Sequence, residues 1–181
     1  NSSSVEKAIK IFERNNPNIF EFIFSKENQP LGTAGALINS YSKLKNEYSI
    51  IMNGDTYVND NLKKLFIDNF LNDILLLTSF KMFSKNYGSV IFNRKSELIR
   101  FNEKRLSIFS YVNAGISIFK NKILNKNNFI YPINIENLYY NDKNISIKVN
   151  KTFSRFIDIG TKKSFHKNSI FFSSLKLPFS L

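Results

Sequence analysis

The sequence has no cysteine, which excludes a disulfide framework, thiolate metal sites and cysteine nucleophiles. It has one histidine, His166, set between Lys163 and Lys167 near the end, where it reads as a surface residue. No apolar run approaches the length that spans a bilayer, and nothing at the start has the basic-then-apolar pattern of a signal peptide. The cytoplasm is therefore the default compartment, and no membrane partner is expected. Acidic residues are scarce: 14 Asp and Glu face 26 Lys and Arg, a formal net charge of +12. A partner carrying phosphates suits such a chain better than a cationic one. Part of that charge follows from composition, because Asn, Lys, Ile and Phe dominate as they do where AT-rich codons are favoured. The first residue is Asn1 and not methionine, so the expectation is that an earlier stretch of chain has been lost.

What is present is enough apolar side chain, 43% of 181 residues, for a real core in a single domain over residues 1–181. Ser3-Ser4-Val5-Glu6 has capping-box spacing, and Val5, Ala8, Ile9 and Phe12 follow at helical intervals. Ile19 to Phe24 and Tyr48 to Met52 read as strands buried on both faces, and Asp73 to Phe80 as a third. Helices are expected from Ala36 to about Asn46 and after Asp60, which reads as a cap. This alternation predicts an α/β domain with a mostly parallel sheet. Beyond it, Tyr87 to Phe92 and Glu97 to Asn102 read as a hairpin turning at Asn93-Arg94-Lys95-Ser96, and Val112 to Phe119 as a strand. Helical pieces are expected near Lys120 to Leu124 and Ile133 to Tyr140, and a half-exposed strand through Ile145, Ile147 and Val149. The tail from Lys162 reads as helix that frays over 166–181.

Ligands of open α/β sheets bind at the carboxyl ends of strands, which draws attention to Asp55, after the run ending at Met52, and to Asp158, just before Gly160. Brought together, such a pair suits Mg²⁺, a hard cation that takes one or two carboxylates plus substrate phosphates. By spacing alone, Asp55 reads as well as a turn residue and Asp158 as a helix cap. Pro30-Leu31-Gly32-Thr33-Ala34-Gly35-Ala36 puts small residues between a strand and a helix, where backbone can approach a ligand closely. It lacks the endings of a Walker loop and the spacing of a three-glycine dinucleotide turn. Glu103-Lys104 reads locally as a solvated pair. Asn113-Ala114-Gly115 is less ordinary, because an Asn inside an apolar run needs partners and a mid-strand Gly marks close approach.

Taken in order, Pro30 to Ala36, Asn53-Gly54-Asp55-Thr56, Tyr87-Gly88-Ser89-Val90, Phe101-Asn102-Glu103-Lys104, Val112-Asn113-Ala114-Gly115-Ile116 and Phe156-Ile157-Asp158-Ile159-Gly160-Thr161 resemble the ordered motifs of sugar-1-phosphate nucleotidyltransferases. The resemblance covers about residues 19 to 165 and is nearest to bacterial members that activate D-glycero-D-manno-heptose 1-phosphate or mannose 1-phosphate with GTP. It implies a Rossmann-like mixed sheet flanked by helices, and a reaction giving a nucleoside diphosphate sugar and pyrophosphate for surface polysaccharide synthesis. It implies that Asp55 and Asp158 hold Mg²⁺ between the nucleotide and sugar phosphates, and that Lys104 binds the sugar phosphate and Glu103 the sugar hydroxyls. It implies that Pro30, Leu31, Gly32, Thr33 and Gly35 line the base and ribose. Gly54, Tyr87, Gly88, Asn113 and Gly115 then face the sugar phosphate, and Thr161 steadies the second metal ligand. Glu27 is the candidate for base choice, since a carboxylate accepts from guanine N1–H and the 2-amino group together.

The family's glycine-rich Gly-Gly-x-Gly-Thr-Arg loop and its Pro-Lys segment are not found in these residues. The expectation is therefore a chain lacking its first two strand–helix units, roughly 60 residues by typical unit size. It is expected to bind triphosphate weakly and turn over slowly or not at all. A non-catalytic sugar-phosphate-binding remnant or regulatory paralogue is the alternative. Retention of Asp55, Glu103, Lys104 and Asp158 speaks against it. A nucleic-acid-binding module is disfavoured because the aromatics fall inside apolar runs and not beside basic clusters. The sugar and the oligomeric state are not fixed by the sequence.

Overall fold

A computed structural model describes residues 2–68, 72–82, 87–104, 109–125, 130–140 and 145–175. Helix α1 (Ser2–Asn15) and helix α2 (Thr33–Ser40) lead to strand β1 (Tyr48–Met52), short strand β2 (Thr56–Val58) and helix α3 (Leu62–Asp68). Strands β3 (Ile74–Met82), β4 (Gly88–Phe92), β5 (Leu98–Lys104) and β6 (Phe109–Lys120) follow. Helix α4 (Ile135–Tyr140), strands β7 (Ile147–Thr152) and β8 (Phe156–Asp158), and helix α5 (Lys162–Ser174) complete the order.

The main sheet runs β5-β4-β6-β3-β7, with β1 also on β6; β2 and β8 form a separate two-stranded ribbon. Strand β3 lies at the centre because Ile74 to Leu77 is apolar at every position. Its alternate side chains enter both layers of the core, Ile74 and Leu76 on one face and Leu75 and Leu77 on the other. All four are buried, and each contributes about 1.5–3 kcal/mol relative to leaving it in water. Ala34 of α2, Leu138 of α4 and the 3₁₀ turn at Asn121–Leu124 cover the first face. Leu65 of α3 and Phe156 of β8 cover the second.

Helices flank a mixed sheet as expected, but the balance of strand directions differs. Among the described residues only β3 and β7 pair in parallel. The pairs β1–β6, β3–β6, β4–β5 and β4–β6 are antiparallel. The reason is β6, which spans 12 residues and opposes every neighbour it has. The run Ile19 to Phe24 is the second correction: it forms no strand, and Ile19, Phe20 and Ile23 are exposed. An apolar run becomes a strand only where another backbone takes its N–H and C=O groups, and no described strand lies beside this one. It is tethered instead by side chains, with Lys43 donating to the Phe24 carbonyl and Asn39 to the Lys26 carbonyl, and Phe12 of α1 packs on Phe20 and Phe22. Strand β1, expected to be buried on both faces, has Ile50 and Met52 exposed and β6 as its described neighbour.

Smaller expectations resolve locally. The hairpin turn is set by Asn93, whose Oδ1 accepts from the N–H groups of Lys95 and Glu97. The cap of α3 is Asn61, which accepts from Lys64 N–H, and not Asp60. Residues 166–174, expected to fray, belong to α5; residues 176–181 lie outside the described ones.

Asp73 fastens the beginnings of β3 and β7. Its carboxylate accepts from the Ser146 N–H at 3.1 Å and hydroxyl at 3.0 Å, and Lys122 stands 3.8 Å away. Burial opposes ionisation here, yet the two bonds from Ser146 and the charges of Lys122 and Lys120 outweigh it and hold the carboxyl below its usual range. A lowered native pKa means that the contribution to stability is present above the ordinary aspartate pKa of about 3.9 and is lost as pH falls through the native value. The stability difference between the wild type and Asp73→Asn, measured by urea unfolding, is therefore expected to be full at pH 6 and to shrink below about pH 4.

Candidate active site

Two carboxylates from opposite ends of the domain meet through the small ribbon. Strand β2 pairs antiparallel with β8, Thr56 opposite Asp158, and the Ile159 N–H donates to the Asp55 carbonyl at 2.8 Å. Asp55 is thereby carried to Asp158 although about a hundred residues separate them. Gly160 stands between the two. A Cβ placed on it would lie 2.8 Å from Asp55 Oδ2 and 3.1 Å from Asp158 Oδ1. Both oxygens thus border one small space that only a missing side chain leaves free. Asp158 Oδ1 also accepts from the Gly160 N–H at 2.7 Å, which fixes the carboxylate's direction.

The donor set is hard oxygen from two carboxylates, with no group of three or more His, Cys, Asp or Glu among the described residues. That chemistry, and a cradle that a Cβ would fill, fit a cation that takes few protein ligands and completes its shell from water and phosphate. Tyr87, half-buried against Phe156, hydrogen-bonds Asp158. Burial raises its phenol above the ordinary value, and the charge and hydrogen bond of Asp158 raise it further. Tyr87, expected at the sugar phosphate, thus supports the acidic pair. Thr161 caps α5 by accepting from Ser164 N–H, with the Ser164 hydroxyl accepting from Thr161 N–H in return. Asp158 is therefore not the helix cap; it sits three residues before it.

Beside this corner the segment Leu31 to Gly35 is laced to residues 133–135. Ile133 N–H donates to the Leu31 carbonyl at 2.8 Å, and the Ile133 carbonyl accepts from Ala34 and Gly35 N–H. Thr33 Oγ1 accepts from Ile135 N–H at 2.9 Å. Gly32 has φ +81, and a Cβ on it would fall 2.4 Å from the Ile133 carbonyl oxygen; one on Gly35 would fall 2.7 Å from Leu31 Cβ. The close approach expected at these glycines is therefore to the protein's own chain. Glu27 closes the preceding turn by accepting from Leu31 N–H at 3.1 Å, and Pro30 is exposed.

Asn113-Ala114-Gly115 is a bulge in β6. Leu76 pairs with Ser117 and Thr78 with Asn113, so three residues of β6 oppose Leu77 alone. Gly115 takes φ +71, its N–H donates to Asn113 Oδ1, and its carbonyl accepts from Asn53 N–H. Asn53 Nδ2 and Thr56 Oγ1 fill the space beside it. Gly54 has open space, whereas a Cβ on Gly88 would meet the Asn102 carbonyl at 2.8 Å across the hairpin. Glu103 and Lys104 end β5, with Lys104 in register with Gly88; their side chains lie outside what the structure describes.

A cavity of about 400 Å³ opens between α2, the end of β1, the bulge of β6 and the start of α4. Thr33, Asn53, Asn113 and Gly115, which belong to the motifs, line it together with Asn134 and Glu136, which do not. Nothing local marks those two residues in the sequence. Their place follows from the bonds of Ile133 and Ile135 to a segment some hundred positions earlier.

The chain matches the nucleotidyl transferase family over residues 2–173. It is 32% identical over 149 residues to a D-glycero-alpha-D-manno-heptose 1-phosphate guanylyltransferase of Aneurinibacillus thermoaerophilus, covering 80% of this chain and 64% of that protein. The enzyme of the same name from Campylobacter jejuni is 30% identical over 146 residues, again with 64% of its length covered. The chain thus spans under two thirds of either relative. Among solved structures, HddC from Yersinia pseudotuberculosis complexed with GMP-PN superposes with a TM-score of 0.80 at 25% identity, over 92% of this chain and 74% of that one. An inositol-1-phosphate CTP transferase of T. maritima, at 16% identity and a TM-score of 0.76 over 97% of this chain and 74% of that one, shares the fold.

Proposed function

The chain belongs to the nucleotidyl transferase family, and from that premise we propose that it carries the acceptor-side half of a sugar-1-phosphate guanylyltransferase acting on a heptose or mannose 1-phosphate. The observation that carries the reading is the convergence of Asp55 and Asp158 on the space beside Gly160. The heptose enzymes that it resembles support the acceptor, and the GMP-PN complex of HddC supports a guanine nucleotide. The reaction is in-line attack of a sugar-phosphate oxygen on the α-phosphorus of GTP, breaking the α–β bridge and expelling pyrophosphate.

Its difficulty is bringing two polyanions together. Asp55 and Asp158 would hold Mg²⁺, which when bound supplies positive charge between the two phosphates. Tyr87 and the Gly160 N–H keep Asp158 aimed at that point, so the carboxylate need not reorganise during transfer. Lys104 would supply a cation for the sugar phosphate, and Glu103 would bind hydroxyls. Glu27, already accepting from Leu31 N–H with one oxygen, keeps the other for guanine. The chain's formal net charge of +12 suits phosphate-bearing substrates, and the compartment proposed for the reaction is the cytoplasm.

The triphosphate cradle is the part these 181 residues do not supply, so alone they should turn over slowly or not at all. The test compares them with the same residues joined to a glycine-rich segment of the family, reading pyrophosphate release across a panel of nucleoside triphosphates and sugar 1-phosphates. The expected result is fastest release from GTP with heptose or mannose 1-phosphate, dependent on Mg²⁺ and at least about 100-fold faster in the joined protein. Failure of the joined protein with every pair would overturn the reading and leave a non-catalytic sugar-phosphate binder.

A further inference from the structure

We infer that Phe171 and Phe172, near the end of α5, are positioning residues that clamp the β2–β8 ribbon and so hold Asp55 against Asp158; for the cation that the pair would take, this rests on the reading above. The two aspartates border one space beside Gly160, and carboxylates so placed repel each other until a cation lies between them. Only three residue pairs join β2 to β8, Thr56 with Asp158, Tyr57 with Ile157 and Val58 with Phe156. Among the described residues the ribbon pairs with no strand of the main sheet. Two strands of that length are marginal by themselves, so the approach of the carboxylates needs a further support.

Residues paired in register share a face. Val58 and Phe156 face the sheet, packed in its second core layer. Tyr57 and Ile157 face away from it, yet Ile157 is buried. On this outer face the Tyr57 ring meets Phe171 edge-on with centroids 5.4 Å apart, and Phe172 at 5.8 Å. The Arg155 guanidinium, in the residue before β8, lies 3.8 Å from the centre of the Phe171 ring. Phe171 thus holds both strands at once, one through Tyr57, two residues after Asp55, and the other through Arg155, three residues before Asp158. Edge-on rings, and a cation over a ring, attract beyond the apolar area they bury. The other end of α5 is fixed next to Asp158 by the Thr161 capping box, so the helix spans the ribbon as a brace tied at both ends.

The test compares the wild type with Tyr57→Ala, with the milder Phe171→Leu, with the conservative Tyr57→Phe, and with Leu124→Ala, a control buried in the first core layer away from the ribbon. One readout is Mn²⁺ affinity by electron paramagnetic resonance. The other needs no metal: hydrogen exchange of the Ile159 amide, which donates to the Asp55 carbonyl, taken as a ratio to that of Leu76 in the central strand, so that global unfolding cancels and local opening remains. Tyr57→Ala should lower the affinity and raise the ratio at least about 10-fold, the lower end of what losing a residue that orients a metal ligand costs. Phe171→Leu, which keeps apolar volume without the ring, should shift both the same way by at least about 4-fold. Tyr57→Phe keeps the ring and should restore both to within about 2-fold of the wild type, and Leu124→Ala should stay there despite a lower unfolding midpoint, as changes at independent sites do. Unaltered affinity and ratio in Tyr57→Ala and Phe171→Leu would overturn the inference, as would equal losses in Leu124→Ala. A wild type that binds no Mn²⁺, with the ratio rising as expected in the two clamp variants, would sink the cation reading and leave the clamp standing.

Discussion

Asp158→Asn lowers divalent-cation affinity at least about 100-fold while leaving the fold in place, when Mn²⁺ is used as the probe and its binding is followed by electron paramagnetic resonance. Removing a partner that only orients a ligand costs about 10–100-fold, and here one of two charged ligands loses its charge. The fold should survive because asparagine keeps an oxygen at the same position, able to accept the Gly160 N–H that Asp158 Oδ1 accepts at 2.7 Å. Tyr87 supplies a readout independent of turnover. With the anion gone, its phenol should titrate closer to the ordinary value of about 10, staying above it because burial, the largest cause of the shift, remains. Carbon-13 resonances of labelled tyrosine would record this. Gly160→Ala is the companion variant: its methyl would stand 2.8 Å from Asp55 Oδ2 and 3.1 Å from Asp158 Oδ1. It should therefore weaken the cation as severely without removing any charge. Unaltered Mn²⁺ binding in both variants would mean that the carboxylates meet for a structural reason alone.

Gly32→Ala is expected to cost at least about 3 kcal/mol of folding stability. Gly32 has φ 81 and ψ 169, a region essentially closed to residues with a side chain and worth about 1–3 kcal/mol where occupied. To that is added a methyl group 2.4 Å from the Ile133 carbonyl oxygen, which is backbone and already bound to Ala34 and Gly35 N–H. For a domain of this size the midpoint of thermal unfolding should fall by about 6–12 °C. Gly54→Ala provides the control. Its Cβ would meet nothing within 4 Å, so its effect should stay within about 0.5 kcal/mol. Equal midpoints for the two variants would contradict the lacing of Leu31–Gly35 to Ile133.

The hairpin and the central strand were legible because their signals are local. Asn93 makes its turn with residues two and four positions on. Ile74 to Leu77 is apolar at consecutive positions and fills both core layers. The run Ile19 to Phe24 carries the same signal without the outcome, since hydrophobicity specifies burial but pairing must come from another strand. Direction misled for a related reason. Alternation of strands and helices implies parallel neighbours, and the 12-residue antiparallel β6 announces its partners nowhere in its own pattern.

At the site, the sequence by itself determined which residues were candidates: two isolated aspartates, each after an apolar run, small residues before a helix, and Asn-Ala-Gly inside a strand. Only the tertiary structure decided what each one does. Gly32 and Gly35 are needed by Ile133 and Leu31, Thr161 caps a helix, Tyr87 braces Asp158, and Glu136, which no motif contains, lines the cavity beside Asn113 and Gly115. The physical reason is that a side chain's type is a property of one position, whereas its free donors, acceptors and space depend on neighbours brought in from a hundred residues away.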